Sequence, residues 1–428
     1  MGESIKTIAI IAFFATYALL LAFPGKRAYI AVAAAALFVI TGIMPLNKVF
    51  HTVNWNVLLM IAGTMGTVSL FIESKMPALL GDIIIAKTPN VKWAVIALSL
   101  FAGLISAFID NVATVLMVAP VAIMIAKKLD ISPVPPIIAI AISSNLQGAA
   151  TLVGDTTSIL LGGQAGLDFL DFFVHQGKIG MFWVVQAAAI MSALVLLLVF
   201  RKHTQPISTE SRTPVTDYFP TILLVATIVL LILASFIPAA FKPEITNGLI
   251  CAALFIIGLA RSWIKKKSVS VIKTALKDID AFTLVLLAAL FLVVGGINEV
   301  GLVDDISRFF VRVSGDNIFA VYSLIVWFSV LVSAIIDNIP YVATMLPVVA
   351  GIAGILDVSP ELLYFGLLAG ATLGGNLTPI GASANITALG ILRKEGHEVR
   401  SLDFVKISVP FTLIAVVTGY LLVWLIWA

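Results

Sequence analysis

Charged residues are scarce in this chain. Of its 428 residues only 11% are Asp, Glu, Lys or Arg, and the mean hydropathy is +1.12, whereas soluble domains carry about 25% charged residues. Long polar segments are lacking too, because the largest, residues 201–217, is too short to form a domain. These deficits exclude a soluble enzyme, give no sign of a nucleic-acid partner and put any function within a membrane.

Cysteine and histidine are nearly missing as well. The single Cys251 cannot form an internal disulfide. The four histidines, His51, His175, His203 and His397, fall in predicted loops without the spacing of metal ligands. We therefore expect no metal centre and no cofactor, apart from a coupling ion that is H+ or Na+.

Apolar blocks of about 17–25 residues, the length of a transmembrane helix, recur along the whole chain. They predict an all-α polytopic protein of the inner (plasma) membrane. The pattern divides into a first unit over residues 1–200, a polar linker over 201–217 and a second unit over 218–428.

The two units contain an internal repeat. Residues 105–121, ISAFIDNVATVLMVAPV, and residues 332–348, VSAIIDNIPYVATMLPV, are identical at eight of seventeen positions after a shift of 227. The shift superposes the pair Asp110-Asn111 on the pair Asp337-Asn338. Such pairs in register inside apolar runs indicate a duplication that includes a buried carboxylate.

We expect the apolar arms around each Asp-Asn pair to form a re-entrant hairpin, at about 93–126 and 318–356. Each unit then crosses the membrane an odd number of times, so the units insert in opposite orientations. One such assignment puts 20 of the 26 Lys and Arg residues in cytoplasmic segments. It makes the linker cytoplasmic and both termini extracytoplasmic, the inverted repeat of a secondary transporter.

Interrupted helices are predicted at about 136–162 and 362–392. Residues 143–162 read SSNLQGAATLVGDTTSILLG and residues 370–390 read GATLGGNLTPIGASANITALG. Glycines, hydroxyls and amides at matching positions suit unwound loops that offer oxygens to an ion or an oxyanion. Close packing through small residues is the alternative, but Asp155 and Thr378-Pro379 do not serve packing.

An Asp at the bilayer centre costs roughly 2.5–3.5 kcal/mol, so Asp110 and Asp337 require a reason. One interpretation is proton transfer or Na+ coordination at the two hairpin tips, with the hydroxyls of Thr114 and Thr344 as further ligands. The other is that each Asp caps the helix that follows it. The two roles are compatible.

Taken together, these four motifs resemble the ArsB/NhaD branch of the ion transporter superfamily, which has a citrate-transporter-like domain. The branch includes arsenite permeases, the melanosomal P protein and NhaD-type sodium/proton antiporters. The resemblance covers nearly the whole chain. It implies two re-entrant hairpins, two interrupted helices, and a scaffold domain beside a transport domain that moves as an elevator. It is consistent with a homodimer.

The residues and the resemblance nominate one set of substrate- or ion-binding positions in the hairpin tips and interrupted helices. They are Asp110, Asn111, Thr114, Asn145, Gly154, Asp155, Thr156, Thr157, Ser158, Asp337, Asn338, Thr344, Asn376, Thr378, Gly381, Ser383 and Asn385. Residues 154–158 look like the NhaD version of the first interrupted helix, where arsenite permeases and P proteins carry Gly-Asp-Pro-Pro-Asn. Residues 381–385, Gly-Ala-Ser-Ala-Asn, look more like the arsenite and P-protein version.

The leading hypothesis is an arsenite or antimonite efflux permease, driven by membrane potential, proton exchange or a soluble ATPase partner. A sodium/proton antiporter is the first alternative, in which Asp110, Asp337 or Asp155 would bind Na+ and protons in turn. A sodium-coupled carrier of a small anion, such as a dicarboxylate, is the second alternative. The hairpin aspartates oppose an anion unless cations accompany it.

Two hypotheses lie outside this class. A passive channel would keep both gates open together. An intramembrane aspartyl protease would use two aspartates as a dyad, but residues 152–155, Leu-Val-Gly-Asp, lack the first Gly of the Gly-x-Gly-Asp signature. We therefore expect no enzyme, and the expected partners are membrane lipid and a small inorganic ion.

Overall fold

The computed structural model describes residues 3–207, 212–267 and 269–428. Within these ranges the chain is mostly α-helical, which confirms the predicted fold class. The linker prediction falls partly on residues 208–211, which lie outside the described residues. The domain boundaries themselves stay a prediction.

The first unit contains ten α-helices and a short hairpin of two strands in its described part. The helices are α1 (Glu3–Ala22), α2 (Arg27–Ile40), α3 (Val49–Thr52), α4 (Trp55–Glu73), α5 (Met76–Ala86), α6 (Val91–Ser106), α7 (Asn111–Lys128), α8 (Val134–Gln147), α9 (Thr156–Ala165) and α10 (Met181–Val199); the strands, antiparallel, are β1 (Val174–His175) and β2 (Lys178–Ile179).

Ten further α-helices are described in the second unit. They are α11 (Phe219–Ala234), α12 (Thr246–Lys266), α13 (Val269–Asp278), α14 (Ala281–Glu299), α15 (Leu302–Ser314), α16 (Ile318–Ser333), α17 (Asn338–Leu356), α18 (Glu361–Gly374), α19 (Ser383–Lys394) and α20 (Ser401–Trp427). Among all the helices so described, eight are long and apolar enough to cross a membrane.

Packing follows the repeat. Helix α6 packs against α8 in the first unit, and α16 packs against α18 in the second. Helix α2 packs against α14, and α12 packs against α4, so a helix of each unit contacts a helix of the other unit. Helices α10 and α20 pack together beside the interrupted helices. The interrupted helices thus pack against the hairpin helices of their own unit and against α20.

The interrupted helices break where glycine lets the chain fold back on itself. Helix α8 continues as a single 3-10 turn to Ala150, after which Thr151 is extended (φ −135°, ψ 167°). A Cβ on Gly154 would lie 2.8 Å from the carbonyl oxygen of Gly148. The second break matches it, since a Cβ on Gly381 would lie 2.6 Å from the carbonyl oxygen of Gly375. Glycine is required at these positions because the backbone approaches too closely for a side chain.

Small residues also allow α4 and α12 to touch. A Cβ added to Gly63 would lie 2.4 Å from the carbonyl carbon of Cys251. Backbones can approach this closely only where one helix lacks a side chain. The contact joins a helix of the first unit to a helix of the second.

We expect Gly63→Ala to lower the free energy of unfolding by about 1–3 kcal/mol, because the added methyl group overpacks the contact between α4 and α12. Gly354→Ala is the matched control, since Gly354 lies within α17 and a Cβ there meets no atom within 4 Å. The control should be neutral or slightly stabilising. Thermal unfolding of the two purified variants checks this, and equal effects would contradict the role assigned to Gly63.

The short β-hairpin binds the start of α18 through His175. The imidazole Nδ1 hydrogen bonds to Asp171 Oδ1 at 2.9 Å, and Nε2 lies 3.7 Å from Glu361 Oε1. The hydrogen bond to Asp171 raises the pKa of His175 above its usual value. Protonated His175 therefore stabilises the folded chain.

A raised folded-state pKa gives stability that is fully present below the unfolded-state value of about 6.5 and is lost as the pH rises through the folded-state value. We expect the midpoint temperature of thermal unfolding to decrease as the pH is raised from about 6 to about 8. His175→Gln should remove part of that decrease. His51→Gln, at an exposed position, is the control. A His175→Gln protein with the pH dependence of the wild type would refute the assignment.

Candidate functional site

A cavity of about 340 Å³ lies among the first hairpin tip, the first helix break and the start of α14. Its polar lining comes from both units. The polar residues are Ser69, Asp110, Asn111, Asp155, Thr156, Asp278, Asp280, Thr283, Asn338 and Ser383. Six of these were nominated from the sequence, so the structure brings part of the predicted set around one space.

The charges that line this cavity have one sign in the described part of the chain. Four carboxylates line it, from Asp110, Asp155, Asp278 and Asp280, and no Lys, Arg or His is among the described residues that line it. Carboxylates close together repel one another unless a cation or a proton lies between them. The cavity is therefore suited to positive charge.

Asp110 lies at the tip between α6 and α7 and is half-buried. Its Oδ2 accepts hydrogen bonds from the backbone amides of Val112 (3.0 Å) and Ala113 (3.1 Å), which caps α7. Its Oδ1 has no hydrogen-bond or ion-pair partner among the residues described. Asp110 is thus compatible with both roles considered from the sequence. One carboxylate oxygen caps the helix, and the other is available to bind a cation or a proton.

Asp155 lies in the first helix break and is only 5% exposed. Its Oδ2 accepts hydrogen bonds from Thr157 Oγ1 at 2.8 Å and from Asn338 Nδ2 at 3.3 Å. Asn338 belongs to the second hairpin tip, so the two units meet at this carboxylate. Asp155 does not cap α9 with its side chain, and this leaves it oriented by neighbouring side chains.

Two buried asparagines tie the helix breaks to each other. Asn145 Nδ2 donates to the carbonyl oxygen of Thr372, and Asn376 Nδ2 donates to the carbonyl oxygen of Ile142, both at 2.8 Å. Asn145 Oδ1 also accepts from Asn111 Nδ2 at 3.0 Å. The links run in both directions between the units, and they connect the break to the first hairpin tip.

Several nominated residues shape the loops instead of lining the cavity. Thr114 and Thr344, expected as ligands, donate to the backbone carbonyls of Asp110 and Pro340 one turn earlier. Ser158 donates to Gly148, Asn385 to Gly375 and Thr378, and Thr378 to Ala334, each at a carbonyl oxygen. Gly154 and Gly381 are the close approaches already described. Their predicted contact with an ion stays a prediction.

Two amide oxygens nevertheless remain unused in the second break. Asn376 Oδ1 and Asn385 Oδ1 are buried and have no hydrogen-bond partner among the described residues. Buried polar atoms are rarely left unpaired in proteins. They are candidates for contact with an ion or substrate.

Asp337, the repeat partner of Asp110, has a different environment. Its Oδ1 accepts from the amide of Ile339 at 3.3 Å and caps α17. Its Oδ2 accepts from Arg27 Nη1 at 2.8 Å. The two hairpin tips are therefore alike in backbone and unlike in charge.

Three charged residues in or near the candidate site were not nominated from the sequence, namely Arg27, Asp278 and Asp280. Arg27 was counted as a marker of cytoplasmic orientation, and nothing in the local sequence indicates its partner 310 positions away. Asp280 carried a usable signal, because an Asp directly before an apolar run is typical of a helix N-cap. It caps α14 through the amide of Thr283.

The model of the family described as Citrate transporter (CitMHS) matches residues 17–370. An uncharacterized transporter of Mycobacterium tuberculosis is 30% identical over 431 residues, covering 98% of each chain. A 46 kDa membrane protein of Mycobacterium leprae is 30% identical over 437 residues, again covering 98% of each. The P protein of Mus musculus is 28% identical over 483 residues, which covers 92% of this chain and 56% of that protein.

Two solved structures share the fold. The YdaH transporter of Alcanivorax borkumensis superposes with a TM-score of 0.61 at 13% identity, covering 88% of this chain and 86% of its own. MtrF of Neisseria gonorrhoeae, from a class of antimetabolite efflux pumps, gives 0.54 at 15% identity, covering 95% and 83%. The superfamily resemblance is supported through the citrate transporter match and the P protein, whereas the ArsB/NhaD branch stays a prediction.

Removing a link between the helix breaks should destabilise the protein. We expect Asn145→Ala to lower the free energy of unfolding by about 1–3 kcal/mol, because the Thr372 carbonyl and the Asn111 amide lose a buried partner. Asn298→Ala, at an exposed position of α14, is the control. Thermal unfolding measures both, and an Asn145→Ala protein as stable as the control would contradict the role of the link.

Proposed function

We propose that this chain, which belongs to the citrate transporter family and is a secondary transporter of the membrane, binds its coupling cation in the cavity that Asp110 and Asp155 line. The observation that carries the proposal is the set of four carboxylates without a basic residue among the lining side chains. Carboxylates within the membrane, as we place Asp110 and Asp155, mark ion pathways and proton relays in transporters. Family and fold are those of transporters, and we propose no enzymatic activity.

Sodium/proton exchange is the transport reaction that this lining supports best. A carboxylate binds either Na+ or H+ at the same oxygen, and the free Oδ1 of Asp110 is available for both. Amide and hydroxyl oxygens of Asn111, Thr156 and Ser383 line the same space and supply the oxygen ligands that a hard cation prefers. Exchange then requires that Na+ and H+ compete for one site that faces each side of the membrane in turn.

Arsenite is the second candidate cargo. Trivalent arsenite is a neutral hydroxide near pH 7, and Cys251 is buried and absent from the cavity lining, so thiol capture is not available. The side chains of Asn111, Asn338, Thr156 and Ser383 offer hydrogen bonds that suit three hydroxyl groups. An arsenite pump would also accommodate a soluble ATPase partner.

The family description names citrate, and the charge of the cavity limits how a citrate would enter. A bare tricarboxylate would face four carboxylates at close range. It would need bound cations that neutralise it, so cation dependence is expected for this cargo as well. The same condition applies to other small carboxylate anions.

We propose further that the cavity opens towards the cytoplasm in this conformation. Asp278 and Ser69, joined at 2.6 Å, line the cavity close to the ends of α13 and α4. We place these helix ends at the cytoplasmic face on the basis of the Lys and Arg distribution. The proposed state is therefore inward-facing. In the same proposal the protein lies in the inner membrane and both termini are extracytoplasmic. We further propose that an elevator movement of the hairpins and interrupted helices, in a homodimer, carries the site across.

Asp110→Asn in proteoliposomes tests the cation site. With an imposed sodium gradient, the wild type should change the internal pH, and Asp110→Asn and Asp155→Asn should lower the initial rate at least about tenfold. Asp305→Asn is the control, because Asp305 forms an exposed ion pair with Lys6 far from the cavity. A full rate in Asp110→Asn would refute the assignment of the site.

The same proteoliposome preparation distinguishes the three candidate cargoes. Arsenite uptake into inverted vesicles without a sodium-dependent pH change would favour the arsenite permease. Citrate uptake that requires added Mg2+ or Na+ would favour the accompanied anion. If none of the three cargoes moves, the proposed set of functions is wrong.

A further inference from the structure

We propose that Arg27 takes the place of a second coupling cation at Asp337, so that each chain binds one coupling cation and not two. The inference rests on the proposed function, because it assumes that Asp110 is the cation site. It goes beyond it by assigning the stoichiometry of coupling to a residue outside the repeat motifs.

The comparison of the two hairpin tips carries the inference. Each Asp uses one carboxylate oxygen to cap the helix that follows, Asp110 for α7 and Asp337 for α17. Asp110 lines the cavity, and its remaining carboxylate oxygen has no hydrogen-bond or ion-pair partner among the described residues. The remaining oxygen of Asp337 accepts from the guanidinium of Arg27 at 2.8 Å. A duplicated site thus has an unpaired carboxylate oxygen in one unit, among the described residues, and a protein-borne cation in the other.

Arg27 is held at this position by the first two helices. It is the first residue of α2, and its Nε donates to the carbonyl oxygen of Leu20 near the end of α1. The side chains of Arg27 and Asp337 are each only 14% exposed. On the same helix pair, the hydroxyl of Tyr17 donates to the carbonyl oxygen of Pro340 at 2.9 Å and also contacts Thr344. Helices α1 and α2 therefore clamp the second hairpin.

The corresponding helix pair of the second unit does not supply a cation to Asp110. Lys242, before α12, pairs with Asp168, and Asn247 on α12 donates to the same carboxylate at 3.1 Å. Both side chains are thus engaged in the connection after α9. Arg27, at the start of α2, pairs with the Asp of a hairpin tip, whereas Lys242, before α12, pairs with Asp168. Asp110 is therefore left without a basic partner among the described residues.

A tethered guanidinium differs from a bound ion because it does not dissociate or cross the membrane. In this conformation it neutralises Asp337 and leaves one exchangeable position. Replacing Arg27 by a neutral side chain leaves a largely buried carboxylate without its counter-charge, which is costly unless a cation binds there. The substitution should therefore create the second site that the repeat implies.

Equilibrium binding of radioactive 22Na+ to the purified full chain tests the count. The wild type should bind one Na+ per chain and Asp110→Asn none. Arg27→Gln should bind two, and Arg27→Lys, which keeps the charge, should bind one. The double variant Arg27→Gln/Asp337→Asn should return the count to one.

Each outcome separates the inference from the proposed function. A count of two in the wild type, or of one in Arg27→Gln, overturns the role of Arg27 while leaving Asp110 as the site. No binding to the wild type overturns the proposed cation site itself. Asp337→Asn keeps the test valid if Arg27→Gln does not fold: it should still bind one Na+, and loss of binding there would overturn the inference.

Discussion

A carboxylate among apolar helices remains charged only where a partner, a cation or a hydrogen-bond network compensates for lost hydration. This constraint organises the centre of the protein. Asp155 is compensated by Thr157 and Asn338, Asp337 by Arg27, and Asp110 only by the amides that it caps. The compensation is therefore incomplete at one position, and that position opens into a cavity which collects three more carboxylates.

Inverted repeats supply symmetry in the backbone, and side chains remove it. The hairpin tips and helix breaks correspond closely, down to the paired glycines that allow each break to fold back. The charges do not correspond, since Asp155 aligns with Ala382 and only one tip is paired with an arginine. A symmetric backbone with unequal side chains suits a transporter. The symmetric backbone supports alternating access, while the unequal side chains define a single site.

Periodicity and residue type predicted the helical elements and their interruptions. Apolar block lengths predicted the helices, and the glycine, proline and amide clusters predicted where they break. Six of the nominated residues line the cavity. The remainder of the site depends on contacts between distant helices. Arg27 reaches Asp337 because α2 packs against α14 near the second hairpin, and no pattern within α2 reports this. The hydroxyls of Thr114 and Thr344, which were expected as ligands, bond to a carbonyl oxygen one turn earlier, and their role as ligands stays a prediction.

The reciprocal asparagine bonds between the helix breaks have a mechanical consequence. Asn145 and Asn376 each bind a carbonyl oxygen of the other unit, so the two breaks are fastened at two points on opposite sides of their contact. Pulling them apart would strand buried donors and acceptors in a region without water. The two half-helices on either side of the site therefore behave as one rigid block. A path for cargo must open along the outer surface of this block, where it meets α4 and α14, and not through its middle.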